Sequence, residues 1–203
     1  MLHHQKQDLE KIEELLSPKK IIFYKNKFSN EWFEAYKSEL NQAKEIFIYL
    51  HFLEIFLRNK IAVEFGRDFG DWLVNTGGSL VLNFKEREKV NKVVLELNQS
   101  NKEINLDNIV SSLNFGFWTN LFHKSYNYLI WQRNKMVERV FPFFKPHQRD
   151  LKQIQKEMEV IRKLRNRIFH FENLQSWDFA EMRRLIDKFV YGVSGMEVKE
   201  ILK

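Results

Sequence analysis

Apolar residues at Leu9, Ile12, Leu15 and Leu16 recur at three- and four-residue intervals, the spacing of one helix face, and predict a helix over residues 8–16. Ser17-Pro18 ends it and a loop follows. Ser29 or Asn30 then caps a helix that starts at Glu31 and meets no Pro or Gly before Gly66. This stretch predicts one long helix, or two in tandem, to about Phe65. Its second half, EIFIYLHFLEIFLRNKIAVEF, is apolar on nearly every face, as expected of a helix at the centre of a bundle. Gly66 to Ser79 holds four of the seven glycines and, with Asp68, Asp71 and Trp72, reads as an ordered loop. Phe84 to Leu97 is an amphipathic helix, and Asn98 to Asn105 a polar linker. Asp107 caps a helix that breaks at Asn114-Phe115-Gly116. Trp118 to Val140 is predicted helical, closed by Pro142 and Pro146. His147 to His170 forms a long helix, and Ser176 caps another from Trp177 to about Tyr191. No repeat or low-complexity tract divides the chain and no convincing interdomain linker is found, so the expectation is one all-α domain over residues 1–203.

Composition narrows the class. Seven Gly and three Pro in 203 residues give too few turn signals for a sandwich or barrel. Cysteine is absent, which removes disulfides, thiolate metal ligands and a cysteine nucleophile. The net charge of +6 permits a polyanionic partner without demanding one. The 19 Phe read first as core filler. The polar start of the chain lacks the apolar stretch of a signal peptide. The most apolar window, Ile46 to Leu57, is interrupted by His51 and Glu54 and falls short of the roughly 20 residues a bilayer takes. A cytoplasmic protein without membrane contact is expected. His3 and His4 are taken as part of a terminal segment and not as a metal site.

Several common sites are missing: there is no phosphate-binding glycine loop with Lys-Ser/Thr, no GxGxxG, no HExxH and no GxSxG. The six His are scattered without ligand spacing, so neither a metal nor a cofactor is expected. The most informative window is Val160 to Glu172. Placed on a helix, Ile154, Met158, Ile161, Leu164, Ile168 and Phe171 form the buried stripe. Arg162, Asn166 and His170 recur every fourth residue and form a polar row beside it. Arg165 and His170 lie roughly 140° apart on an ideal wheel. Either the long Arg side chain reaches round, or the helix deforms near His170, or a second protomer completes the site. A solvated charged face with an Arg at the core edge explains the same pattern without any chemistry.

The segment Leu164-Arg165-Asn166-Arg167-Ile168-Phe169-His170-Phe171-Glu172 resembles the Arg-x(4–6)-His signature of HEPN ribonucleases, in which Asn commonly follows the Arg. Three further segments resemble the Abi-like (abortive infection) branch of that family. They are Leu53-Glu54-Ile55-Phe56-Leu57-Arg58-Asn59, then Leu113-Asn114-Phe115-Gly116-Phe117-Trp118, then Leu129-Ile130-Trp131 with Phe141-Pro142. The four matches follow the family's order over about residues 15 to 190. Where family members often carry His-His-Glu-Pro, this chain has Phe171 and Asn173 in place of the second His and the Pro, with Glu172 kept.

The resemblance implies a HEPN-like helical bundle with extra helices and a metal-independent endoribonuclease acting in phage defence or as a toxin. It also implies a homodimer with one composite cleft, an RNA substrate, and room for an antitoxin or a structured non-coding RNA as restraining partner. The residues suit that chemistry. RNA is cut without metal when its 2′-hydroxyl attacks the adjacent phosphate, and imidazole can take or give the protons near neutral pH. His170 is the candidate. Arg165 supplies fixed charge for the pentavalent intermediate. Asn166 donates to a phosphate oxygen or holds His170. Arg162 and Glu172 are supporting positions. The competing class is a non-catalytic module that binds RNA or a partner protein.

Other positions carry two readings. Glu54 and Arg58 stand i, i+4 with His51 on the same side; a buried ion pair is favoured, and the functional alternative sets Arg58 and Asn59 beside the cleft. Phe115 to Trp118 reads as a core-filling bend before it reads as a base-stacking platform. Trp131, Phe141, Phe143 and Phe144 are core or dimer contacts. Lys145, His147, Arg149 and Lys152 either track RNA backbone or form a solvated helix start.

Overall fold

The computed structural model describes residues 2–16, 18–74 and 81–203. Side chains of residues 2–7 lie outside that description, so the readings of His3 and His4, of Ser17 and of the loop beyond residue 74 cannot be set against it. Among the described residues the protein is all-α, with ten α-helices and no strand. No described helix is long and apolar enough to cross a membrane.

The first helix, α1, runs Leu2–Leu15. The expected loop after it is instead a helix, α2 (Pro18–Phe28). Pro18 opens that helix because its fixed φ and missing N–H suit the first helical position, so it starts an element where it was expected only to stop one. A single 3-10 turn at Ser29–Glu31 leads into α3 (Trp32–Phe69), one uninterrupted helix of 38 residues and about 57 Å. It passes through Gly66 and stops at Gly70, whose φ of 61° ends the helical path. Ile46, Leu50, Leu53, Leu57, Ile61 and Phe65 form its buried stripe, within the core that the later helix at Phe179–Ser194 and the short helices complete. It is not sheathed all round, however: Leu40, Phe47, Ile48 and Val63 are exposed. A helix this long outruns the neighbours that pack on it.

After α4 (Phe84–Gln99), capped by the Asn83 side chain, come α5 (Leu106–Ser112) and α6 (Phe115–Asn120). Asn105, not Asp107, caps α5 by accepting the Asn108 N–H. Asn114 caps α6 through the Phe117 N–H, and a Cβ on Gly116 would sit 3.1 Å from the capping oxygen. The expected helix from Trp118 to Val140 is broken. It becomes a 3-10 turn at Lys124–Tyr126, a π turn at Asn127–Trp131 and a short α7 (Met136–Val140), with Asn134 and Lys135 left-handed. Large side chains dictate this path. The Trp131 indole donates to the Leu121 carbonyl and stacks on Phe122 at 4.4 Å, a placement that a straight helix does not allow.

Asp150 caps α8 (Leu151–Phe169), which therefore begins later than predicted. Asp178, not Ser176, caps α9 (Phe179–Ser194), because Trp177 is held in a turn on the Leu174 carbonyl. Gly192 lets α9 approach the Phe144 ring so closely that a Cβ there would overlap it at 2.2 Å. A short α10 (Val198–Ile201) ends the chain. One continuous cluster of buried apolar side chains runs from Ile46 to Val198 and includes Phe115, Phe117, Trp118, Trp131, Phe141 and Phe144. Phe115 to Trp118 is thus core and offers no base platform. Phe143 stays half-exposed and packs over Gly195.

Two of the buried carboxylates, Glu64 and Glu86, are paired, whereas one Glu39 oxygen is buried without a hydrogen-bond partner among the described residues. Glu64, 1% exposed, meets Lys60, Arg67 and Arg139. Arg139 also grips Asp68 with two hydrogen bonds of 2.9 and 2.8 Å. That grip holds the Asp68 carboxyl below the usual carboxylate range. For buried Glu86, desolvation pushes the other way but is outweighed by hydrogen bonds from Lys89, Asn120 and Tyr126, so its carboxyl too is lowered. A depressed folded-state pKa stabilises the fold above the unfolded value, near 4, and that stabilisation fades as pH falls through the folded value. Asp68→Asn is therefore expected to lower Tm at pH 7, with the gap to wild type closing as acid protonates Asp68. Thermal melts from pH 7 down to about pH 2 measure it, and a gap independent of pH would contradict it.

Candidate active site at the C-terminal end of α8

Ile154, Met158, Ile161 and Leu164 bury one stripe of α8 against the core, which fixes how its last turns face outward. Phe171, expected to extend that stripe, does not. It follows the helix end with φ 55° and is 79% exposed. The end is a Schellman turn: the Phe171 N–H donates to Ile168 O at 3.1 Å and the Glu172 N–H to Arg167 O at 2.9 Å. The left-handed position in such a turn is normally glycine, so Phe171 holds strained backbone of about 1 kcal/mol or more. His170 is the residue just before it. Its N–H still donates to Asn166 O at 2.9 Å, so its Cα keeps its helical place while its side chain is exposed at the tip.

Four further contacts hold this turn. Lys20 of α2 donates to the Phe171 carbonyl at 2.8 Å. Arg167 donates to the Asn173 carbonyl at 3.0 Å and lies 3.5 Å from the Glu172 carboxylate. The Asn173 side chain accepts the Gln175 N–H. Glu172 thus braces the turn and does not reach toward Arg165.

Arg165 sits on the side facing α3. Its guanidinium lies 4.0 Å over the Phe169 ring, and Nη2 is 3.6 Å from Glu54. Its Nε is buried without a hydrogen-bond partner. Phe169 in turn packs on Phe47 of α3 at 5.7 Å. The expected Glu54–Arg58 ion pair is absent, because the Glu54 carboxylate is turned across to Arg165. Arg58 instead leans on the Ser111 carbonyl at 3.5 Å, with Nε unpartnered. Asn59 is exposed and lies roughly 140° round α3 from Glu54, so it does not face Arg165. Arg162 is half-buried beside Thr119, Asn120, His123 and Glu159 around a cavity of about 200 Å³, one turn back from Asn166.

The structure therefore brings Glu54 and Arg165 together and sets His170, Asn166 and Arg162 on the adjoining row. Among the described residues the His170 ring has no hydrogen-bond partner, and Arg165 does not reach round to it. The helix deforms only after His170, which leaves their separation as the wheel predicts. Lys145, His147 and Lys152 are exposed, whereas Arg149 is engaged by Glu138 and the Phe144 carbonyl. Lys20, 151 positions away, gave no local signal; the i, i+4 stacking of Arg165 on Phe169 was readable from spacing. Among the described residues no cluster of three or more His, Asp or Glu is placed to hold a metal ion.

No family model, curated protein or solved structure matches this chain.

Proposed function

We propose that this protein is a cytoplasmic, metal-independent HEPN-type endoribonuclease of the Abi-like kind, acting in phage defence or as a toxin. One observation carries the reading. A partly shielded Arg165, oriented by Glu54 and Phe169, stands one helical row from an exposed His170 whose ring has no hydrogen-bond partner among the described residues. The guanidinium offers a fixed cation to the phosphorane. The imidazole removes the 2′ proton or protonates the leaving 5′ oxygen. Asn166, on the His170 row, donates to a phosphate oxygen.

One imidazole cannot conveniently serve as both base and acid, and a homodimer supplies two. The exposed Phe47, Phe169 and Phe171 around this end of α8 are the apolar surface such a dimer covers. Light scattering at micromolar concentration is expected to give twice the chain mass. A fully active monomer would refute the shared cleft. An antitoxin, protein or structured RNA, fits the same exposed end as its restraint.

The deciding experiment incubates the purified full chain with mixed RNA in EDTA. Cleavage is expected to persist and to leave 2′,3′-cyclic phosphate or 3′-phosphate ends. Strict magnesium dependence with 3′-hydroxyl ends would overturn the mechanism. RNA binding without any cleavage would favour a non-catalytic HEPN module.

A further inference from the structure

α2 carries four lysines and no acidic residue in eleven positions, and it touches the His170 turn directly through Lys20. Its buried side is Ile21 and Tyr24, with Phe28 half-buried beside them. Lys19, Phe23 and Lys27 recur at i, i+4 and i+8, within about 80° of one another, and all three are exposed. Lys27 lies 6.0 Å from the Phe23 ring and 5.4 Å from the Phe28 ring. Among the described residues neither Lys19 nor Lys27 has an ion-pair partner. Lys25 differs: it points to α1, where Glu13 neutralises it at 2.7 Å. Three of the four acidic residues of α1, Glu10, Glu13 and Glu14, line a groove with Pro18, Ile21, Ile22 and Lys25 on the flank away from the stripe. The stripe is therefore a run of unneutralised cations bracketing an exposed ring. Lys20, the neighbour of Lys19 on the flank of the stripe, reaches the Phe171 carbonyl just after His170.

We infer that the Lys19, Phe23 and Lys27 stripe of α2 is a binding platform for single-stranded RNA, guiding the strand to or from His170. This rests on the reading of that site as RNA-cleaving. Cations about 12 Å apart along the helix match backbone phosphates two nucleotides apart, and the ring between them offers a π-face to a base of any identity. Such a platform favours single strands, because bases locked in a duplex present no free face to Phe23. It recognises no sequence.

The test separates binding from cutting. Binding is measured by anisotropy in a His170→Ala background, with a labelled single-stranded RNA of mixed sequence. Lys19→Gln with Lys27→Gln should lower the slope of log K against log salt by about 1.4, from two phosphates at about 0.7 each. Phe23→Ala should weaken binding about tenfold at every salt concentration while leaving the slope unchanged. All three side chains are exposed and the substitutes are helix formers, so melting curves should match the parent. In the active enzyme the same changes should raise KM for a long RNA and leave kcat. Cleavage of an RNA too short to reach α2 should be unaffected. Unchanged affinity and slope in both variants, or no RNA binding by the parent, would overturn the platform. If the α2 variants weaken binding yet the wild-type chain cuts no RNA, the platform holds and the catalytic reading fails.

Discussion

His170→Ala is expected to reduce RNA cleavage by at least about 10²-fold, the contribution of one general acid–base group, while the protein stays folded and dimeric. The geometry makes the folded state insensitive to this change. The His170 ring is exposed, and the hydrogen bonds that end α8 there use only its backbone N–H. An exposed side chain away from a cap or a cavity typically moves stability by no more than about 0.5 kcal/mol. RNA affinity should also hold, because one exposed imidazole is a small share of the contacts to the phosphate backbone. In cells, expression of the wild-type chain should slow growth and His170→Ala should relieve it. A folded, dimeric His170→Ala protein that cuts RNA and slows growth like wild type would make His170 structural.

The helical class and most of its elements were legible because burial in a helix leaves a three- and four-residue imprint, as in Ile154, Met158, Ile161 and Leu164. Errors fell where a local signal carries two meanings. Pro18 reads equally as a stop or as a first helical residue. Asp107 and Ser176 are good caps in isolation, but Asn105 and Asp178 hold the positions from which a side chain reaches the free N–H groups. The break between Trp118 and Val140 is set by where the indole of Trp131 must go, which is tertiary information. The same holds at the site. The polar row of Arg162, Asn166 and His170 follows from spacing alone. That Glu54 turns to Arg165 and leaves Arg58, and that Lys20 holds the Phe171 carbonyl, depends on α3 and α2 being packed against the end of α8. Phe171 leaves the stripe because α8 ends two residues earlier, at Phe169, and periodicity cannot see a helix end.

Arg165→Ala should be the more damaging change to chemistry, with an expected loss of about 10²- to 10³-fold in kcat, as for removal of one fixed donor to a developing oxyanion. Its interpretation needs more care than that of His170, because Arg165 has structural contacts of its own. It stacks on Phe169 and faces Glu54. Truncation leaves the Glu54 carboxylate without its partner, but both side chains keep 22% exposure, so water can resolvate it. A stability loss of about 1 kcal/mol is expected, which is too small to empty the folded state. Arg165→Lys separates the two roles. Lysine keeps the charge opposite Glu54 and so restores the melting temperature. It lacks the planar fork that pairs with two phosphate oxygens, so kcat should stay low. Arg165→Ala should further lower the salt slope of RNA binding by about 0.7, one phosphate's share. The combination of restored stability, depressed kcat and a reduced salt slope is what a phosphate-facing cation produces. If Arg165→Lys regains full activity along with stability, the guanidinium serves only as the counter-charge to Glu54, and the phosphorane must draw its stabilisation from elsewhere.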